Sequence, residues 1–106
     1  MSAGSHGTGS RGAGSHGEVQ LENEHFRVPR GAIGRGGAIP SRRHDHEYVV
    51  VPLVTATMHV TTADDEEIVA DLVAGQSYTR AAGSEHRVEN RASPEPIVFV
   101  EVERLA

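Results

Sequence analysis

Residues 44–54 read "HDHEYVVVPLV": two histidines one residue apart, then a run of apolar residues. On a β-strand, side chains at i and i+2 share a face, so His44 and His46 stand together with Tyr48 after them. Working outward, "ATMHVTT" (56–62) and "EIVADLV" (67–73) read as strands, and the polar "ADDE" (63–66) between them suits a hairpin turn. Upstream, "EHFRV" (24–28) reads as a short strand, and "PRGAIGRGGAIPS" (29–41) as another broken by glycine and proline turns. Downstream, Ala74-Gly75 turns into "QSYTRA" (76–81), Gly83 precedes "HRVEN" (86–90), and "RASPEP" (91–96) loops into "IVFVEVERL" (97–105). No segment sustains a 3.6-residue period over helical length. The expected fold class is all-β, an antiparallel sandwich or barrel.

Composition bounds the function. A chain of 106 residues suits one domain. No apolar stretch would span a bilayer and the N-terminus has no apolar signal core, so a soluble, cytoplasmic protein is expected. With no cysteine there are no disulfides, thiolate ligands or cysteine nucleophile. The formal net charge of −5, carried against ten arginines and no lysine, argues against nucleic acid or an anionic membrane as partner. Lacking lysine, the chain has no side-chain Schiff-base chemistry.

Residues 1–17, "MSAGSHGTGSRGAGSHG", repeat "AGSHG" and contain little that can build a core, so a disordered Gly/Ser/His-rich tail is expected there, with the folded domain over 18–106. In the last strand Val98, Val100 and Val102 share one face, while Ile97 and Phe99 share the other before Glu101 and Glu103 take over. A strand apolar on both faces needs two covers, the second being another sheet or another subunit, and a homodimer is expected.

A pair of inward histidines is half of a metal site, which wants three or four ligands. The stretch "GQSYTRAAGSEHRVEN" (75–90) carries Gly75, Gly83, His86 and Asn90 at the spacing G-x5-P-x-G-x2-H-x3-N, with Ala81 in place of the proline. That pattern resembles the second motif of the cupin superfamily. "HDH" with its apolar continuation resembles the first, G-x5-H-x-H-x3,4-E-x6-G, with Gly37 near the place of the opening glycine. The resemblance implies a small jelly-roll β-barrel, usually dimeric, with a divalent metal inside. Carried over by position, His44, His46 and His86 would be its ligands, iron being the leading candidate and nickel, copper, manganese and zinc the alternatives.

The carboxylate of the first motif falls at position 50 or 51, and both are valine; its closing glycine falls at Thr57. Glu47 faces away from His46 by parity. Three readings follow. In the first, a three-histidine centre performs dioxygenase-type chemistry on a small anionic molecule, with Tyr48 hydrogen-bonding the substrate and Arg80 pairing with its anionic group. In the second, the barrel binds a small molecule without catalysis. In the third, the histidines are hydrogen-bonded inside the sandwich with no ligand. His25 and His59 are expected at the surface, "ADDEE" as a solvated hairpin, "GRGG" as a turn, and Asp45 facing away from the histidines.

Overall fold

Short apolar segments closed by turn residues recur along the chain, and the computed structural model, which describes residues 9–12 and 14–106, holds strands and no helix among them. In chain order these are β1 (Gly9–Gly12), β2 (Ser15–Glu22), β3 (Phe26–Ile33), β4 (Ala38–Arg43) and β5 (Tyr48–Pro52). They continue with β6 (Ala56–Thr62), β7 (Glu67–Leu72), β8 (Tyr78–Arg80), β9 (Glu85–Glu89) and β10 (Ile97–Arg104). A four-stranded sheet runs β4-β9-β6-β7 and a six-stranded sheet runs β1-β2-β3-β10-β5-β8, with antiparallel pairing throughout.

One core cluster joins the two inner faces. Ile33, Tyr48, Val50, Ile97 and Phe99 come from the six-stranded sheet, and Ile39, Met58, Val60 and Leu72 from the other. Burying each such side chain contributes about 1.5–3 kcal/mol. Parity decides who belongs: in β6, Met58 and Val60 are buried while His59 between them lies on the outer face, half-buried. His25 is exposed, as expected. In β10, Ile97, Phe99, Glu101 and Glu103 point inward, and Val98, Val100 and Val102 line the outer face beside Val51 and Val49 of β5.

Three segments differ from the sequence reading. The tail expected over 1–17 lies outside the described residues at 1–8 and 13; its remainder is paired backbone, with β1 against β2 and β2 against β3. Glycine and serine supply no core, yet their amides bond as well as any, and the Ser15 hydroxyl donates to the Ala38 carbonyl at 2.9 Å. Gly14, at φ +70°, makes the turn between these strands. Second, 26–33 is one unbroken strand through Pro29, whose missing amide falls where the ladder to β10 lapses opposite Glu101. Third, residues 44–47 are a turn rather than the start of β5, so period-2 parity does not govern His44 and His46.

Candidate functional site

A cavity with about 630 Å³ of empty space, its open mouth included, lies between the sheets. Its polar wall comprises His44, Tyr48, Tyr78, Arg80, His86 and Glu101; Met58, Val60, Leu72 and Phe99 are among its apolar residues. Tyr48 opens β5 facing inward, and Arg80 of β8 is its cross-strand partner. Val50, the next inward residue, is flanked by Tyr78 on β8 and Glu101 on β10. From the opposite sheet, His86 reaches in on β9, where it pairs with Thr62 of β6.

His44 is buried although it sits in a turn, and its backbone explains why. The His44 amide donates to the Ser84 carbonyl at 3.0 Å, and the Gly83 amide donates to the His44 carbonyl at 2.7 Å. This clasp ties the turn after β4 to the loop before β9, which carry the two motifs read in the sequence. Gly83 and Gly75 have φ of +85° and +82°, a region that glycine alone enters without strain, which accounts for two of the second motif's fixed residues.

The side chains meet as a row. The His44 and Tyr48 rings stack tilted with centroids 4.3 Å apart, and the Tyr48 hydroxyl lies 3.4 Å from Nε2 of His86. Arg80 places its guanidinium 4.7 Å from the centre of the Tyr78 ring, a cation–π contact. Burial, helped by the Glu101 charge, pushes the Tyr48 phenol up to about 12. Burial and then the neighbouring Arg80 hold His86 below its ordinary value. Both are therefore neutral near pH 7, and a phenol O–H can donate to an imidazole nitrogen.

Of the residues expected at a site, His44, His86, Tyr48 and Arg80 share this cavity, and His46 is not among its lining residues. Asp45 is exposed, 3.7 Å from Arg43 at the surface. The metal implied by the resemblance can be tested against this donor set. The His44 and His86 ring centres are 6.4 Å apart, whereas two imidazoles on one tetrahedral ion bring theirs to about 5 Å. Among the described residues no three His, Cys, Asp or Glu side chains are grouped to hold a metal ion. As placed, the residues do not fit one.

Two residues of the cavity wall were not singled out from sequence. Glu101 supplies an inward carboxylate beside Val50, one of the two positions where the first motif would have its glutamate. Its signal was parity with Ile97 and Phe99. Tyr78 shares parity with Arg80 in the same way. Asn90, by contrast, is a motif residue that stays out of the cavity. It is fully buried; its Nδ2 donates to the carbonyls of Ile33 (3.0 Å) and Glu95 (3.2 Å), and its Oδ1 accepts from the Ser93 amide (3.0 Å).

Comparison with known proteins bears on the family. No protein-family model matches the chain. It is 44% identical over 85 residues to the beta-alanine degradation protein BauB of Pseudomonas aeruginosa, spanning 80% of this chain and 87% of that protein. A cupin domain from Bordetella pertussis Tohama I, 36% identical, superposes with a TM-score of 0.82 over 92% of this chain and 100% of its own. The chain is a cupin. A cupin of the RmlC-like family with a double-stranded β-helix fold, from Methanocaldococcus jannaschii, shares the fold at 17% identity, with a TM-score of 0.70 over 83% of this chain and 77% of its own. In this cupin the all-β barrel expected from the sequence is present, and the first motif's glutamate is replaced by inward Val50 with Glu101 across the strand.

Proposed function

We propose that this cupin binds a small organic carboxylate in the cavity between its sheets. The observation that carries the reading is Arg80, half-buried at the cavity wall and braced on the Tyr78 ring. A guanidinium there offers a planar fork of donors to a carboxylate, in a setting where charge-assisted hydrogen bonds are stronger than in water. Tyr48, directly opposite Arg80 in the sheet, presents a hydroxyl that orients the bound molecule. The apolar residues accept a short carbon chain and exclude water. Likeness to a β-alanine degradation protein favours short organic acids as the molecules to try.

Isothermal titration of the full chain with propionate tests this reading. Binding is expected to weaken at least about tenfold in Arg80→Gln, because the bidentate pair is lost while the fold is kept. An Arg80→Gln variant that binds propionate as the parent does would overturn it.

The second reading is a metal centre at His44, His46 and His86 with dioxygenase-type chemistry. The motif spacing and the common cavity of His44 and His86 favour it. It requires the His46 side chain to turn inward and the His44 and His86 rings, 6.4 Å apart, to close on one ion. Elemental analysis of untagged protein decides: near-stoichiometric metal that disappears in His46→Ala and in His86→Ala supports it, and protein that takes up no added metal sinks it.

A further inference from the structure

Two formal charges of opposite sign reach this cavity from one sheet. Arg80 enters from β8 and Glu101 from β10, the strands on either side of β5. Their partners on β5 are Tyr48 and Val50. The two backbones are therefore about 10 Å apart across the sheet and one inward step apart along it. Both charges act on the same space. Burial is the main cause of the upward shift of Tyr48 and Tyr78, and on both rings Glu101 pushes up while Arg80 pulls down. The cavity also has Met58, Val60, Leu72 and Phe99, whose side chains carry no charge and no hydrogen-bond donor.

A fixed cation and a fixed anion in one partly apolar cavity match a molecule with the opposite arrangement. We propose that the ligand is a short zwitterionic amino acid, its carboxylate on Arg80 and its ammonium on Glu101. This rests on the carboxylate reading above and adds a second anchor. Glu101 has two oxygens with several lone-pair sites, so it accepts an ammonium beside any bond it already makes. The same carboxylate discriminates. A dicarboxylate would bring a second negative charge toward Glu101 in a low-dielectric setting, and a plain carboxylate would leave that end of the cavity unmatched.

Isothermal titration of the full chain with β-alanine, propionate and ethylamine separates the anchors, since the last two each lack one of the charged groups of the first. β-Alanine is expected to bind at least about tenfold more tightly than either fragment. In Glu101→Gln the preference over propionate should vanish while propionate affinity holds or rises. Glycine and 4-aminobutyrate, run alongside, measure the spacing between the anchors. Propionate binding as tightly as β-alanine to the parent protein overturns the zwitterion proposal and leaves the carboxylate reading standing. Failure of both to bind overturns both. The comparison on the parent protein holds even if Glu101→Gln does not fold.

Discussion

Removing the Asn90 side chain should destabilise the barrel without touching the cavity wall. Its amide makes three hydrogen bonds, two donated to the Ile33 and Glu95 carbonyls and one accepted from the Ser93 amide, and it is fully buried. At a net value near 1 kcal/mol per bond, Asn90→Ala should cost roughly 3 kcal/mol, with a further contribution from the void. At about 4–8 °C per kcal/mol for a domain of this size, Tm should fall by at least about 10 °C. Asn90→Asp is the sharper probe. It keeps the shape and the acceptor for Ser93 but turns a second oxygen toward two carbonyls. Burial and those carbonyls favour the protonated acid, so the folded pKa lies above the unfolded value near 3.9. The folded state then binds more protons than the unfolded one, and stability falls as pH rises through that window. The Asn90→Asp penalty relative to the parent should therefore grow between about pH 4 and pH 7, while the Asn90→Ala penalty stays flat. Thermal melts of the three proteins at both pH values and one protein concentration measure this. An Asn90→Ala loss under about 4 °C, or parallel pH curves for the two variants, would refute the reasoning.

Gly31→Ala would place a methyl 2.7 Å from Cζ of Phe99, whose ring is buried and lines the cavity. Overpacking of this kind costs about 1–3 kcal/mol, so calorimetry should read a lower Tm, and ligand titration a changed affinity. On the outer face of the four-stranded sheet, Arg91 holds Glu67 in a bidentate pair at 2.6 and 3.0 Å and also bonds Glu89, keeping both carboxylates below their usual range. Depressed carboxylates add stability above the unfolded pKa and lose it as pH falls through the folded one. The Tm difference between parent and Arg91→Ala should thus be present at pH 7 and close as pH falls below the ordinary carboxylate range. Finally, Val98, Val100 and Val102 form, with Val49 and Val51, a half-buried apolar strip on the outer face of the six-stranded sheet. We expect a second copy to cover it, so sedimentation should give a dimer mass that Val100→Glu reduces to that of a monomer.

Much of the barrel was legible because strands with one buried face announce it by alternation. Met58 and Val60, or Ile97 and Phe99, are apolar at period two, and the turns between strands carry glycine or acidic residues. β2 and the continuity of β3 were hidden for the opposite reason. Gly17 faces Gly31 there, and backbone hydrogen bonds between small residues leave no trace in composition. The site was half legible. Tyr48 follows from parity along β5, and Arg80 from the fit of a guanidinium in the strand before the second motif to an anionic group. His44 and His46 do not, since four polar residues turn the chain before β5 begins, and what then positions His44 is a pair of main-chain bonds to residues 83 and 84. Glu101 could have been found from the inward series Ile97, Phe99, Glu101, had an acidic residue in a closing strand been counted as a possible wall of the cavity.

That main-chain clasp has a consequence for how such a site can change. The bonds from His44 to Ser84 and from Gly83 to His44 involve no side-chain atom, so the turn and the loop stay registered whatever residues they display, provided position 83 remains glycine. The frame is indifferent to its fittings. A glutamate can become a valine on β5, and a carboxylate can stand on β10 instead, without any strand having to move. Chemistry in this barrel is thus interchangeable at the level of single residues, and a sequence can leave its family's ligand pattern long before it leaves the family's shape.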